Sequence, residues 1–333
     1  MRTRRWAAAL SVTLLALLAT AVLMSGAEWD FRQVHTPVRP PASAADRAPI
    51  KVGAKDFTES LILGHIILWR LEAAGLPVED SMPTGSTPKT RAALLDGEID
   101  IYAEYTANAL VLYHPDVRRQ LDPEALKEPG RMYREAARVE RRDAGIVWLD
   151  AAPADNGWGI AVPRTLAETE RLRTIADFAR YANAGGRVKL AGSNEFFTRD
   201  DALPSMQGAY GFALSPTQKV GMASIDSVTY AEAAAGGKER INAAMAFATD
   251  GALDSFGLVM LEDPLDTQLP YQPAPVLRED TYAQYPEVAD ILAEPFAALT
   301  TETLRDLSSR VTVRGQEPGL VAQQWLSANG FLE

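Results

Sequence analysis

The chain has 333 residues, 47% of them hydrophobic, with 33 basic against 44 acidic side chains and a formal net charge of −11. That length supports a sizeable core and two lobes or domains, while the acidic balance argues against a nucleic-acid binder. The absence of cysteine excludes disulfides, thiol catalysis, cysteine zinc sites and a lipid-modified N-terminal cysteine.

Arg2, Arg4 and Arg5 form a basic start, Ala7 to Met24 runs without a charge, and Ser25, Gly26 and Ala27 supply small residues suited to cleavage. This pattern reads as a secretory signal peptide over residues 1–27, with an uncleaved anchor as the competing reading. Either one exports the remainder to the periplasm. Residues 28–49, with Pro37, Pro40, Pro41 and Pro49, have no hydrophobic period and read as a flexible spacer. No later segment reaches spanning length, because His65 and Arg70 interrupt the apolar run from Leu61 to Leu71.

The body opens with a short strand, Ile50-Lys51-Val52-Gly53-Ala54. Asp56 or Thr58 is expected to cap the next helix, in which Leu61, Ile62, Ile66, Trp69 and Leu71 recur near helical spacing before Gly75. Gly85-Ser86-Thr87 leads into a second helix ending near Gly97, with Leu94 and Leu95 on its inner face. Ile99-Asp100-Ile101-Tyr102 follows as a strand, so a βαβ unit and a parallel sheet are expected. Residues 121–143 read as a solvated helix. Strands are expected at 146–149, 159–162, 188–190 and 258–261, and helices at 175–183, near 287–298 and at 318–328. The body is α/β, with no internal repeat.

Motifs for catalysis are missing. The three histidines, His35, His65 and His114, form no His-Glu-x-x-His pair. There is no Gly-x-Ser-x-Gly elbow and no phosphate loop, and Gly157-Trp158-Gly159 lacks the third glycine of a dinucleotide fingerprint, Val162 standing there instead. No enzyme, metal or cofactor is expected.

Several stretches resemble the glycine betaine, carnitine and choline binding proteins of osmoprotectant ABC importers. They are Val52-Gly53-Ala54-Lys55-Asp56-Phe57-Thr58-Glu59; Gly97-Glu98-Ile99-Asp100-Ile101-Tyr102-Ala103-Glu104-Tyr105-Thr106; Ala248-Thr249-Asp250-Gly251 with Val259-Met260-Leu261-Glu262-Asp263; Pro270 to Arg278; and Val321 to Leu326. The second is the most distinctive. The resemblance implies a bilobed periplasmic-binding fold of type II, with 50–154 plus 249–333 as one lobe and 155–248 as the other, a hinge between them and the ligand in the cleft. It also implies a monomer that binds a quaternary-ammonium small molecule and delivers it to an ABC permease.

A quaternary ammonium carries a full charge and no N–H, so aromatic faces suit it better than a lone carboxylate; each desolvated contact contributes on the order of 1–2 kcal/mol. By position, the resemblance assigns the cage to Tyr105, Trp158, Phe247 and Tyr271. It assigns the ligand's carboxylate to Lys55 and Arg199, with Asn108 where the family often has threonine. From the residues alone, Tyr105 and Phe247 could equally be core, Trp158 a plug within one lobe, Lys55 and Arg199 solvated charges, and Asn108 a cap. Trp158 and Phe247 stand where tyrosine is commoner, which leaves the choice among quaternary amines open. A solute without a quaternary nitrogen is the competing ligand class.

Overall fold

In the computed structural model, residues 47–222 and 227–332 are described; the expected signal peptide and most of the expected spacer lie outside them. Arg47 to Pro49, assigned to the spacer, are tied to the body. Arg47 donates to Gln284 O at 2.8 Å and to Glu287 at 2.6 Å, its guanidinium lies 4.1 Å from the Tyr285 ring centroid, and Ala48 O accepts from the Tyr285 hydroxyl.

The first sheet begins with β1 (Ile50–Val52), followed by helix α1 (Thr58–Ala73), β2 (Val78–Asp80), α2 (Thr87–Asp96) and β3 (Ile101–Tyr105). α1 is apolar on nearly every side, which is the signature of a buried helix, and three C-terminal helices lie against it. Neither Asp56 nor Thr58 caps it: extended Phe57 precedes the first turn without a side-chain cap. Gly64 brings α1 close to the segment that leaves β1, since a Cβ there would stand 2.4 Å from Met82 Sδ and 3.0 Å from Ala54 Cβ. α2 ends at left-handed Gly97 (φ 77°); Leu94 is buried, but Leu95, expected beside it, is 49% exposed.

After β3 the chain runs through a short turn, Thr106–Asn108, into a π-helical turn, Ala109–Tyr113. α3 occupies Pro129–Ala144, capped by the Glu128 carboxylate on Gly130 N and Arg131 N. The helix expected from residue 121 begins only there, because a residue preceding proline is driven out of the helical region, and Pro123 and Pro129 both stand in the stretch. β4 (Ile146–Trp148) completes the first group of strands.

The second sheet is built from β5 (Trp158–Pro163), α4 (Ile175–Asn183), β6 (Leu190–Gly192), α5 (Leu203–Tyr210), β7 (Lys219–Gly221), α6 (Ser227–Ala235), β8 (Ala243–Phe247) and β9 (Leu258–Met260). The chain then returns to the first sheet as β10 (Pro273–Arg278) and ends in α7 (Val288–Ala297), α8 (Thr301–Thr312) and α9 (Pro318–Ala328). The two sheets have matching orders, β2-β1-β3-β10-β4 and β7-β6-β8-β5-β9. In each, one strand from the far side of a crossing runs antiparallel to its neighbours: β10 against β3 and β4, and β5 against β8 and β9.

The first crossing lies between β4 and β5 and the second between β9 and β10. A return at residues 248/249 is therefore too early: Leu258–Met260 pairs with Pro163 to Ala161 of β5 in the second sheet. Its apolar residues announced a strand but carried no signal about which sheet edge would take it. β10 escaped sequence reading because Pro273 and Pro275 argue against a central strand. Both prolines turn their backbone toward the β4 side, where their carbonyls accept from Ala152 N and Leu149 N. The β4 ladder itself begins only at Val276, so the two missing N–H groups interrupt no pairing.

α4 carries a complete capping box: Thr174 Oγ1 accepts from Asp177 N at 3.1 Å, and Asp177 accepts from Arg173 N at 2.9 Å and Thr174 N at 3.1 Å. Arg173 N foremost, then the Arg180 guanidinium and Thr174 N, hold the Asp177 carboxyl down at about 2, against an ordinary 3.8. A carboxyl lowered by folding stabilises the fold above its ordinary value and loses that effect as pH falls through the folded one. Asp177→Ala is expected to lower unfolding free energy by about 1 kcal/mol at neutral pH, with the difference shrinking as pH falls from about 4 to about 2; urea titrations at several pH values measure it.

Candidate functional site

The cleft lies along one edge of both sheets. β1, β3, β6 and β8 present their C-terminal ends there, and the antiparallel β5 and β10 present their N-terminal ends; ligands of open α/β sheets bind at such edges. Lys55 follows β1, Tyr105 ends β3 and Asn108 follows it, and Tyr271 closes the second crossing. On the second sheet Trp158 opens β5, Phe247 ends β8, and Ser193 to Arg199 follow β6. The seven residues expected from the sequence all line this one cleft, which is partly open to solvent.

Trp158 and Phe247 are a directly opposed cross-strand pair, with ring centroids 4.7 Å apart at 40°. Tyr105 and Phe57, an aromatic not singled out from the sequence, stand 6.2 Å apart on the first sheet. The Tyr105 hydroxyl donates to Glu59 at 2.7 Å. Tyr105, Trp158 and Tyr271 are buried, and Trp158 Nε1 is buried without an acceptor among the described residues.

The two basic residues do not meet the cleft as unpaired charges. Lys55, 1% exposed, donates to Glu104 Oε1 at 2.5 Å, with Nζ 5.0 Å from the Tyr105 ring centroid. Glu104 also accepts from Tyr102 OH at 2.8 Å, Tyr113 OH at 2.8 Å, Asn108 Nδ2 at 2.9 Å and Tyr105 N at 2.7 Å. Burial pushes the Glu104 carboxyl up, but the Lys55 ammonium and these donors outweigh it and hold it below its ordinary value. Burial lowers the Lys55 ammonium.

Arg199 donates to Asp201 at 3.0 Å, to Asn108 Oδ1 at 3.2 and 3.3 Å, and to the Tyr271 hydroxyl, while that hydroxyl donates to Asp201. The guanidinium carbon stands 5.6 Å from the Trp158 centroid and 5.7 Å from that of Tyr271. Burial lowers the guanidinium, but Tyr271 and Asp201 more than compensate and raise it above its ordinary range. Arg199 thus binds the second sheet's flank to Asn108 and Tyr271. Arg118 adds a second tie to Asp200 at 2.9 Å, but Asp200 is 74% exposed, and an exposed pair contributes about 0–1 kcal/mol.

The crossings are bonded to each other: Tyr271 N donates to Asp155 Oδ1 at 2.8 Å and Asn156 N to Tyr271 O at 3.1 Å. Sequence reasoning passed over Phe57, Ser86, Thr87, Asn156, Ser193, Glu195 and Met245 as cleft residues. Phe57 lies inside the opening motif and Asn156 two positions before Trp158, which were the available signals; the others reach the cleft only through chain folding. Among the described residues no group of His, Cys, Asp and Glu is placed to hold a metal ion, and no helix is long and apolar enough to cross a membrane.

Because Glu104 serves five donors, Glu104→Ala leaves the Lys55 charge and two tyrosine hydroxyls unpaired in the interior. Chemical denaturation is expected to show a loss of about 3–5 kcal/mol, with Glu104→Gln, which keeps an acceptor and loses the charge, falling between the two.

Comparison with known proteins agrees with this geometry. Residues 48–328 match the family described as the substrate binding domain of ABC-type glycine betaine transport systems. The chain is 39% identical over 284 residues to the glycine betaine-binding protein YehZ of Escherichia coli K12, covering 85% of this chain and 92% of that protein. The solved structure of apo YehZ from Escherichia coli superposes with a TM-score of 0.66, over 86% of this chain and all of that one. A glycine betaine/carnitine/choline ABC transporter structure, 19% identical, shares the fold with a TM-score of 0.67 over 85% of this chain and 100% of its own. The ergothioneine transport permease/ergothioneine binding protein EgtU of Helicobacter pylori G27 is 26% identical over 87% of this chain, which spans 49% of that longer protein. The two mixed sheets are the two lobes of a periplasmic substrate-binding fold. The chain belongs to the family of substrate-binding domains of ABC-type glycine betaine transport systems, extracytoplasmic components that bind small-molecule osmolytes for an ABC permease and catalyse no reaction.

Proposed function

We propose that the chain captures a quaternary-ammonium osmolyte of the glycine betaine type between its lobes, with the methylated nitrogen against Tyr105, Trp158, Phe247 and Tyr271 and the carboxylate toward Arg199, Lys55 and Asn108. The observation that carries this reading is the convergence of these seven side chains on one cleft. The aromatic faces supply π density without demanding a hydrogen-bond donor from the ligand. Arg199 has five N–H donors, so a ligand carboxylate can join Asp201 on it without leaving either charge unpaired.

The lobes are taken as residues from 50 to the first crossing together with β10 to the C-terminus, and residues from β5 to β9. They would close by rotation about the two bonded crossings. The basic, then apolar segment at residues 1–27 would export the chain, cleaved or as an anchor. The other ligand class, a compatible solute without a quaternary nitrogen, draws on one observation: Lys55 and Arg199 already stand near three of the four rings as internal cations.

Isothermal titration of the protein, freed of osmolytes, with glycine betaine, choline, carnitine, ergothioneine and proline tests the proposal. One-to-one binding of a quaternary amine is expected, weakened roughly tenfold or more in Tyr105→Ala and in Tyr271→Ala. Binding of proline with no heat from any quaternary amine up to millimolar concentration would replace the cage reading with the other.

A further inference from the structure

Glu59 stands in the first turn of α1 and is 5% exposed. Its Oε1 accepts from the Tyr105 hydroxyl at 2.7 Å and from Asn156 Nδ2 at 2.9 Å, and Asn156 Oδ1 accepts from the Thr249 hydroxyl at 2.9 Å. One buried carboxyl therefore joins three parts of the molecule: a ring of the cleft wall on the first lobe, the first crossing, and the loop that leaves β8 on the second lobe. Its other oxygen, Oε2, makes no hydrogen bond of good geometry among the described residues; burial pushes the carboxyl above its ordinary value, opposed by the neighbouring Thr249 hydroxyl, Tyr105 and Asn156.

An acidic residue in a first helical turn is favoured by the helix dipole alone. Here, however, the carboxyl's polar neighbours are Tyr105, Asn156 and Thr249. Burying a carboxyl at this depth costs free energy unless its surroundings compensate, so its placement calls for a role beyond packing.

We infer that Glu59 is a positioning residue, whose carboxyl fixes the Tyr105 ring in the cleft wall and, through Asn156 and Thr249, couples that ring to the segments about which the lobes move. Its effect on affinity rests on the quaternary-ammonium reading of the cleft; the ring placement itself does not. Attraction between a cation and a ring depends on presenting the ring's face. A tyrosine whose hydroxyl is anchored holds that face ready, and its anchor to the crossing makes the ring's position a function of lobe closure.

The test uses the protein labelled with [13Cζ]tyrosine, with the Tyr105 resonance identified by its loss in Tyr105→Phe. Glu59→Leu is expected to move and broaden that resonance while the other tyrosines stay in place, and Glu59→Gln, which keeps the acceptor, is expected to restore it. Glycine betaine affinity should fall roughly tenfold in Glu59→Leu and in Tyr105→Phe, and stay within about threefold of wild type in Glu59→Gln. Glu59→Leu added to Tyr105→Phe should cost less than about twofold more, as two ends of one link require. An unmoved Tyr105 resonance in Glu59→Leu overturns the inference, as do losses that multiply in the double variant. If Glu59→Leu does not fold, Tyr105→Phe reads the link from the other end, and unchanged affinity there overturns it. Wild-type protein that binds no quaternary amine sinks the functional proposal alone, and the Tyr105 resonance then decides this one.

Discussion

Glu104 has no solvent contact, yet it accepts hydrogen bonds from four side chains and one backbone amide. A carboxylate at that depth is tolerable only when its charge is matched and its lone pairs are filled. Filling them recruits Lys55 from the exit of β1, Tyr102 and the backbone of Tyr105 from β3, Asn108 from the turn that follows, and Tyr113 from the π-helical turn. The first lobe's half of the cleft is thus assembled around one negative charge. The irregular helix at Ala109–Tyr113, of a type often found at functional sites, brings Tyr113 within reach of it.

The second lobe solves the complementary problem with a half-buried cation. Arg199 is matched by Asp201, and its remaining donors reach across to Asn108 and Tyr271. Both basic residues of the cleft are therefore paired before any ligand enters. A zwitterion brings its own opposite charges to such a site, so neither end need displace an internal partner completely; this agrees with a family of glycine betaine transport components. On the proposed reading, ring faces shared with Lys55 and Arg199 are less available to a bare cation than isolated rings would be.

Phe247 and Trp158 show how strand register decides a site. They lie almost ninety positions apart, yet the antiparallel pairing of β5 with β8 sets them directly opposite each other at the cleft edge. The same register leaves Met245, two positions earlier on that strand, on the cleft as well. Strand alternation places alternate residues of β8 on one face, so a cleft-lining methionine was implied once the strand was known. The strand went unread because Ala243-Ala244-Met245-Ala246 has little β propensity of its own; burial between β5 and β6 makes it one.

Elements with long helical periodicity, such as α1, α4 and α9, and strands rich in branched residues, such as β1 and β3, were legible in the sequence, because their local preference and their tertiary environment agree. So was the set of cleft residues that short motifs hold together, since Lys55 and Tyr105 each sit within a contiguous stretch. Other features, like β8, were not legible. The prolines of β10 concealed a central strand, the proline before α3 moved a helix start, and β9 joined the sheet opposite to the one its position in the chain suggested. Sequence by itself determined the α/β alternation and the chemical types available at the cleft. Tertiary structure alone decided that Lys55 and Arg199 arrive already paired and that Glu59 lies behind Tyr105. Such pairings depend on atoms brought together across the fold, at distances that no local pattern of residues encodes.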